Sequence, residues 1–315
     1  MDSLVFSLNA TVPVFLMMIL GMLFQKAGFI DLDFAEKLNK FVFVVPLPVL
    51  LFGDLATVDF TQMWDTRFVL FCFGATAVSI TGAAFLSRFL KDRSIRGEFI
   101  QVSYRSSAAL LGIALIQNIY GSAGMAPLMI IASVPLYNVM AVVVLSLFQP
   151  GCSGRMDGAM WKKTLKGIAT NPIILGIVSG LLWSMLKLPM PRILEKTVSN
   201  IGSMATPLGL MAMGAAFDFK KAFGKLRPAL AASFIKLIGF CTVFLPLAAA
   251  LGFRQEKLVA ILIMLGSATT VSCFVMAKNM GHEGVLSSSV IMLTTLLSAF
   301  TITGWLYVLR VLQLI

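Results

Sequence analysis

Charge is scarce in this sequence. Only 12% of its 315 residues are Asp, Glu, Lys or Arg, 58% are hydrophobic, and the mean hydropathy is +0.93. That balance excludes an ordinary soluble domain, where about a quarter of residues are charged. Histidine is almost missing: His282 is the only one, in a loop. The four cysteines, Cys72, Cys152, Cys241 and Cys273, show no metal or redox spacing, and three lie in apolar runs as small hydrophobes. No paired acids stand inside the apolar runs, and there is no H-E-x-x-H, G-x-S-x-G or P-loop. An enzyme, a metal site, a cofactor and an ATP-driven pump are therefore not expected. No basic stretch precedes the first apolar run and no A-x-A-like site follows it, so no cleavable signal peptide is expected.

What remains is a series of continuous apolar runs of about 20 residues, long enough to cross a hydrocarbon core of about 30 Å. In that core backbone groups must be satisfied within the segment, and runs without alternation mean helices. The expected fold is an all-α polytopic membrane protein with ten transmembrane helices. The spans fall near 5–25, 35–55, 67–90, 98–120, 126–148, 167–187, 195–217, 228–252, 257–279 and 284–309.

The sequence repeats. At a shift of 159, Pro13 falls on Pro172, Gly21 on Gly180, Glu36-Lys37 on Glu195-Lys196, Pro48 on Pro207 and Asp59-Phe60 on Asp218-Phe219. At 160, Arg67 meets Arg227 and Ser107-Ala108 meets Ser267-Ala268. A first five-helix repeat (1–150), a linker (151–166) and a second repeat (167–315) follow. Five is odd, so the second half is inverted, a construction used by secondary transporters. Loops on one side carry 16 of the 25 Lys and Arg, the other side with the termini carries 7, and Arg105 and Lys236 lie inside spans. The basic side should be cytoplasmic. This predicts a multi-pass protein of the inner (plasma) membrane, both termini outside. Basic residues confined to such loops argue against nucleic acid as a partner.

Polar residues gather at one repeat-related position: "SYRSSAALLG" in span 4 and "GSATTVSC" in span 9. Ser and Thr bond back within intact helices as a rule, but paired clusters suggest a site. Arg105 and Lys236 have no evident acidic partner, and Asp54 is read near an outer span end. Two unpartnered cations imply an anion from outside; the competing reading is snorkelling to the headgroups. The candidate substrate residues are Arg105, Ser106, Ser107, Gly112, Asn138, Lys236, Ser267, Thr269, Thr270 and Ser272. Asn39 and Tyr137 could line a cavity or cross-link helices. Pro48 and Pro207 should kink spans 2 and 7.

The stretches "LNKFVFVVPLPVLLF" (38–52), "NPIILGIVSGLL" (171–182), "TPLGLMAMGAAF" (206–217), "TTVSCFVMAKNMG" (269–281) and "LTTLLSAFT" (293–301) give the chain a resemblance to the bacterial auxin efflux carriers, relatives of the plant PIN proteins. The resemblance implies two inverted five-helix repeats with crossover helices 4 and 9. It implies a scaffold of spans 1, 2, 6 and 7, a transport part of spans 3–5 and 8–10, an elevator motion, and organic anions such as malonate, malate or auxin-like acids as substrates. The chain departs from that pattern at the crossover: Ser107, Ala109, Ala114 and Ala268 replace the asparagine, glycine and prolines common there. Without proline the helices have no covalent reason to break.

The function expected is a secondary transporter of a small organic anion in the lipid bilayer. The alternatives are a sodium-coupled carrier of bile-acid type and a non-transporting receptor or channel. The sequence leaves a homodimer open. With no acid or histidine at the centre of a span, either facilitated transport driven by the anion gradient and membrane potential or co-transport with the proton carried on the substrate itself is expected.

Overall fold

The computed structural model describes residues 2–57, 64–108, 116, 119–120, 125–149, 166–167 and 169–315; among them there are helices and connections but no strands. The first part runs α1 (Asp2–Lys26), α2 (Leu32–Val44), α3 (Pro46–Ala56), α4 (Thr66–Leu86), α5 (Arg96–Tyr104) and α6 (Ala126–Leu147). The second runs α7 (Pro172–Met185), α8 (Arg192–Ser203), α9 (Ala205–Ala215), α10 (Phe219–Gly224), α11 (Leu226–Phe234) and α12 (Phe240–Ala250). It ends with α13 (Gln255–Gly266), α14 (Ser272–Asn279) and α15 (Val285–Val311).

Local chemistry sets the helix starts. Asp31, Asp65 and Asp218 each accept a backbone N–H from the first turn of α2, α4 and α10. Asn171 does so for α7, where Pro172 occupies the first helical position, which needs no N–H. The predicted spans 2 and 7 are interrupted at Val45 and Met204, which are 159 residues apart. Pro46 opens α3 and Pro48 and Pro207 stand in the first turn after each break, so the prolines restart helices.

In lipid the hydrophobic effect does not press helices together; close packing of small residues does. Here the repeat becomes geometry. A side-chain carbon on Gly21 (α1) would overlap Met211 O of α9, and one on Gly180 (α7) would sit 2.8 Å from Phe52 O of α3. Gly21 and Gly180 are 159 apart, and so are Phe52 and Met211. The first helix of each half packs on the interrupted helix of the other, as a pseudo-two-fold requires.

Among the described residues, five helical stretches are long and apolar enough to cross a membrane: Leu32–Ala56, Thr66–Phe89, Ala126–Leu147, Leu226–Ala250 and Val285–Val311; Leu16–Lys26 and Pro172–Met185 are shorter apolar helices. On α4 the face of Phe68, Cys72, Ala75 and Ser79 is buried, while Leu70, Phe73, Val78 and Phe85 are exposed. An apolar outer face suits lipid. Cys72, Cys241 and Cys273 are buried free thiols, as expected.

A candidate anion site at the helix crossover

Two helices stop inside the protein. After Tyr104 the chain leaves α5, with Arg105 extended at φ −75°, ψ 131°; after Gly266 it leaves α13, with Ser267 at φ −75°, ψ 164°. Helix resumes at Ser272. The two extended segments touch: Ser107 N donates to Ala268 O at 2.9 Å. Spans 4 and 9 therefore meet at their Ser107 and Ser267 regions, and they break without the prolines.

Side chains take the prolines' place. A helix end leaves four carbonyls without intrahelical donors. At the end of α5, Gln101 O accepts from Arg105 N at 3.1 Å, Val102 O from Thr269 Oγ1 at 3.0 Å, and Tyr104 O from Lys236 Nζ at 3.3 Å. At the end of α13, Ile263 O accepts from Ser267 N at 3.1 Å. Met264 O accepts from Tyr137 Oη at 2.9 Å and from Ser106 Oγ, and Leu265 O accepts from Lys236 Nζ at 2.6 Å. Lys236 also donates to Ser106 Oγ. It reaches the crossover from a π turn, Ile235–Gly239, between α11 and α12; such widened turns favour functional positions.

Several of the candidates lie away from the cavity described next. Lys236 is fully buried, joins two helix ends, and lines no part of the cavity described next. Neither snorkelling nor free approach to an anion fits it. Thr269 is engaged with Val102 O and, through its N–H, with Thr294 Oγ1 at 3.0 Å. Ser267 is buried outside the cavity and its hydroxyl has no partner among the described residues. Gly112, like Ala109 and Ala114, lies outside the described residues.

Beside the crossover is a cavity of about 70 Å³, room for a few water-sized groups or a small molecule. Arg105, Ser106, Ser107, Asn138, Thr270 and Ser272 line it, so six of the ten candidates come together. It is also lined by α2, α3 and α9, through Val42, Leu47, Leu50, Leu51, Asp54 and Thr206.

Arg105 is the charged centre, 2% exposed and therefore not snorkelling. Its Nη2 donates to Asn138 Oδ1 at 2.6 Å and to Ser272 Oγ at 2.7 Å. Asn138 is oriented by its own bond from Nδ2 to Val134 O at 2.9 Å. Nη1 meets only Met276 Sδ at 2.9 Å, a weak acceptor, and Nε has no partner. No acid among the described residues lies within ion-pair distance. The guanidinium is thus held on one side by neutral oxygens and left poorly satisfied on the other. Ser272 opens α14, whose N-terminal partial positive charge adds to the field.

The sequence reading placed Asp54 near an outer end and did not include Thr206. Both had signals. Leu47, Leu50, Leu51 and Asp54 have the i, i+3, i+4, i+7 spacing of one helix face. Thr206 is 159 residues after Leu47, on the same cavity wall.

The family model described as "Membrane transport protein" matches the chain twice, over residues 6–157 and 155–306. The chain belongs to this family. It is the auxin efflux carrier family that the sequence motifs resemble. A Rhizobium meliloti (strain 1021) protein described as "Putative malonate transporter" is 24% identical over 283 residues, 87% of this chain and 86% of that protein. A solved sodium proton antiporter from Methanocaldococcus jannaschii superposes with a TM-score of 0.63 at 14% identity, over 95% of this chain and 97% of that one. That likeness concerns the fold alone. The double match of the membrane transport family model and the reciprocal glycine contacts describe the same two-repeat, all-helical membrane architecture.

Proposed function

We propose that this membrane transport protein is a secondary carrier of a small organic anion, a mono- or dicarboxylate, bound at the crossover with Arg105 as its counter-charge. The single observation that carries the reading is the buried guanidinium on the cavity wall, which forms no ion pair with any acid among the described residues. A carboxylate offers the acceptors that a thioether does not. Ser107, Thr270 and Ser272 supply further polar contacts at the opening of α14. The small cavity favours a compact acid over a bulky steroid-like one, and the description of the Rhizobium meliloti relative makes malonate the first acid to try.

The same proposal takes the protein as ten spans in two inverted halves, in the plasma membrane with both termini outside. The scaffold is spans 1, 2, 6 and 7, and spans 3–5 with 8–10 move against it in an elevator motion. The glycine-tight pairs α1–α9 and α3–α7 support one rigid body, and the cavity sits at its seam with the crossover. Uptake of labelled carboxylates, malonate among them, into proteoliposomes tests the reading. Parent protein should transport at least one and Arg105→Ala should not; equal uptake by both would remove Arg105 from the site.

A further inference from the structure

The cavity contains a second charged group that the carrier mechanism above does not use. Asp54 is the only carboxylate among the described residues lining the cavity, and it stands on α3, apart from the crossover segments in the chain. It is half-buried, and among the described residues it forms no ion pair and no side-chain hydrogen bond. Glu98 shows how this protein treats a buried acid that is structural. That carboxylate accepts from Gly284 N at 3.0 Å, Ser287 N at 2.9 Å and Ser287 Oγ at 2.9 Å, and so caps α15. Asp54 has no such occupation.

The surroundings leave its charge to the cavity. The other ionisable groups on the cavity wall are Arg105 and Tyr137, and Tyr137 donates its hydroxyl to Met264 O. Of the elements packed on α3, α7 and α9 carry no ionisable residue. Arg192, Glu195 and Lys196 of α8 are exposed. Asp33, Glu36, Lys37 and Lys40 of α2 line a separate cavity with Lys278 and Asn279.

Resting on the carboxylate reading, we propose that Asp54 is a proton-binding residue of the carrier, so that substrate anion and proton enter the site together. The argument is one of charge. An empty cavity holds Arg105 as a cation and Asp54 as an anion, balanced but apart. A carboxylate arriving at Arg105 leaves surplus negative charge in a small cavity walled in part by Val42, Leu47, Leu50 and Leu51, where unpaired charge is expensive. A proton taken from solvent onto an Asp54 carboxylate oxygen removes one unit of that surplus, all of it for a monocarboxylate and half of it for a dianion such as malonate; release of the substrate returns the proton to solvent on the same side. No bond other than this O–H forms or breaks. Asp54 would then carry the proton that the sequence alone assigns to the substrate.

The test uses full-length protein and radiolabelled malonate at about pH 8, well above the ordinary carboxylate range, so that the substrate arrives ionised. In proteoliposomes at zero membrane potential, a pH difference of one unit should drive about tenfold accumulation for one proton per substrate. Asp54→Asn should abolish that accumulation while retaining malonate counterflow exchange. In weakly buffered detergent solution, malonate binding should take up one proton per parent protein and none per Asp54→Asn. Unchanged gradient-driven accumulation in Asp54→Asn overturns the proposal. So does malonate binding to the parent without proton uptake, a reading that stands even if the variant fails to fold. Failure of the parent to bind malonate or any other carboxylate is a different result: it overturns the carboxylate reading, and the charge argument built on it falls too.

Discussion

Arg105 and Lys236 look alike in sequence: each is a lone cation in an apolar span, and each is almost completely buried. The structure gives them opposite tasks. Lys236 finds Tyr104 O, Leu265 O and Ser106 Oγ around its ammonium, three acceptors for three donors. The negative ends of two helix dipoles converge on it. Arg105 caps the same end of α5, yet only Nη2 has oxygen acceptors. One cation replaces the missing prolines as the fastener of the crossover. The other is held in place with donors to spare. A buried charge signals function only after its partners have been counted.

The largest expected effect breaks the fastener. Lys236→Met keeps much of the volume and removes the charge, leaving Tyr104 O and Leu265 O without a donor. Each buried unsatisfied group costs about 1–3 kcal/mol. The variant should lose several kcal/mol of stability, seen as a marked drop in detergent-solubilised Tm, and lose transport with it. A Tm equal to the parent's would mean that Lys236 does not hold the crossover.

The second effect should reverse that pattern. Arg105→Ala should lower Tm clearly less than Lys236→Met does, because its partners line a cavity rather than close two helix ends, and weaken carboxylate binding by about 100-fold, the scale expected when one partner of a buried charge pair is removed. Arg105→Lys should retain part of the affinity, since the point charge remains but the planar fork does not. Calorimetric titration and thermal unfolding on the same samples separate the two cations. If Arg105→Ala loses stability as Lys236→Met does, the distinction between fastener and site fails.

A smaller contrast concerns two hydroxyls of one sequence motif. Thr269→Val removes the donor to Val102 O and should cost about 1–2 kcal/mol of stability with affinity unchanged. Ser272→Ala removes an acceptor of Arg105 and should weaken binding a few-fold with little change in Tm. Identical profiles would place both hydroxyls in the same role.

These contrasts show where the sequence was readable. The helical class, the repeat and the meeting of spans 4 and 9 follow from run length, from Gly21, Gly180, Pro48 and Pro207, and from the paired serines, because each rests on a local pattern. The division of labour within "SYRSS" and "GSATTVSC" does not. Whether a hydroxyl meets a substrate or a helix end depends on where Met264 O, Val102 O and Leu265 O point once two distant segments cross. The helix break was hidden for the same reason: Lys236, 131 residues from Arg105, supplies what a proline in span 4 would have announced. Asp54 was legible through its spacing from Leu47, but only after the break at Val45 showed where α3 begins.

The smallest expected effect lies at the protein's edge, where a cation and an acid meet within water's reach. Lys257 Nζ lies 2.5 Å from Asp65 Oδ2, both side chains about a third exposed. The Lys257 hydrogen bond, with help from Phe68 N–H, holds the Asp65 carboxyl below its usual range. Its folded-state value is depressed, so the stabilisation is fully present above the ordinary Asp value of about 3.9 and is lost as pH falls through the lower folded value. Solvent screening keeps such a pair below about 1 kcal/mol. Asp65→Asn isolates the ion pair, because asparagine caps a helix about as well as aspartate and the bond to Phe68 N can remain. The variant should unfold slightly below the parent near pH 7. The gap should persist in weakly acidic solution, narrow below about pH 4 and shrink with added salt. A gap as large as that of Lys236→Met, or one that survives full protonation of Asp65, would show that exposure does not decide what a cation contributes here.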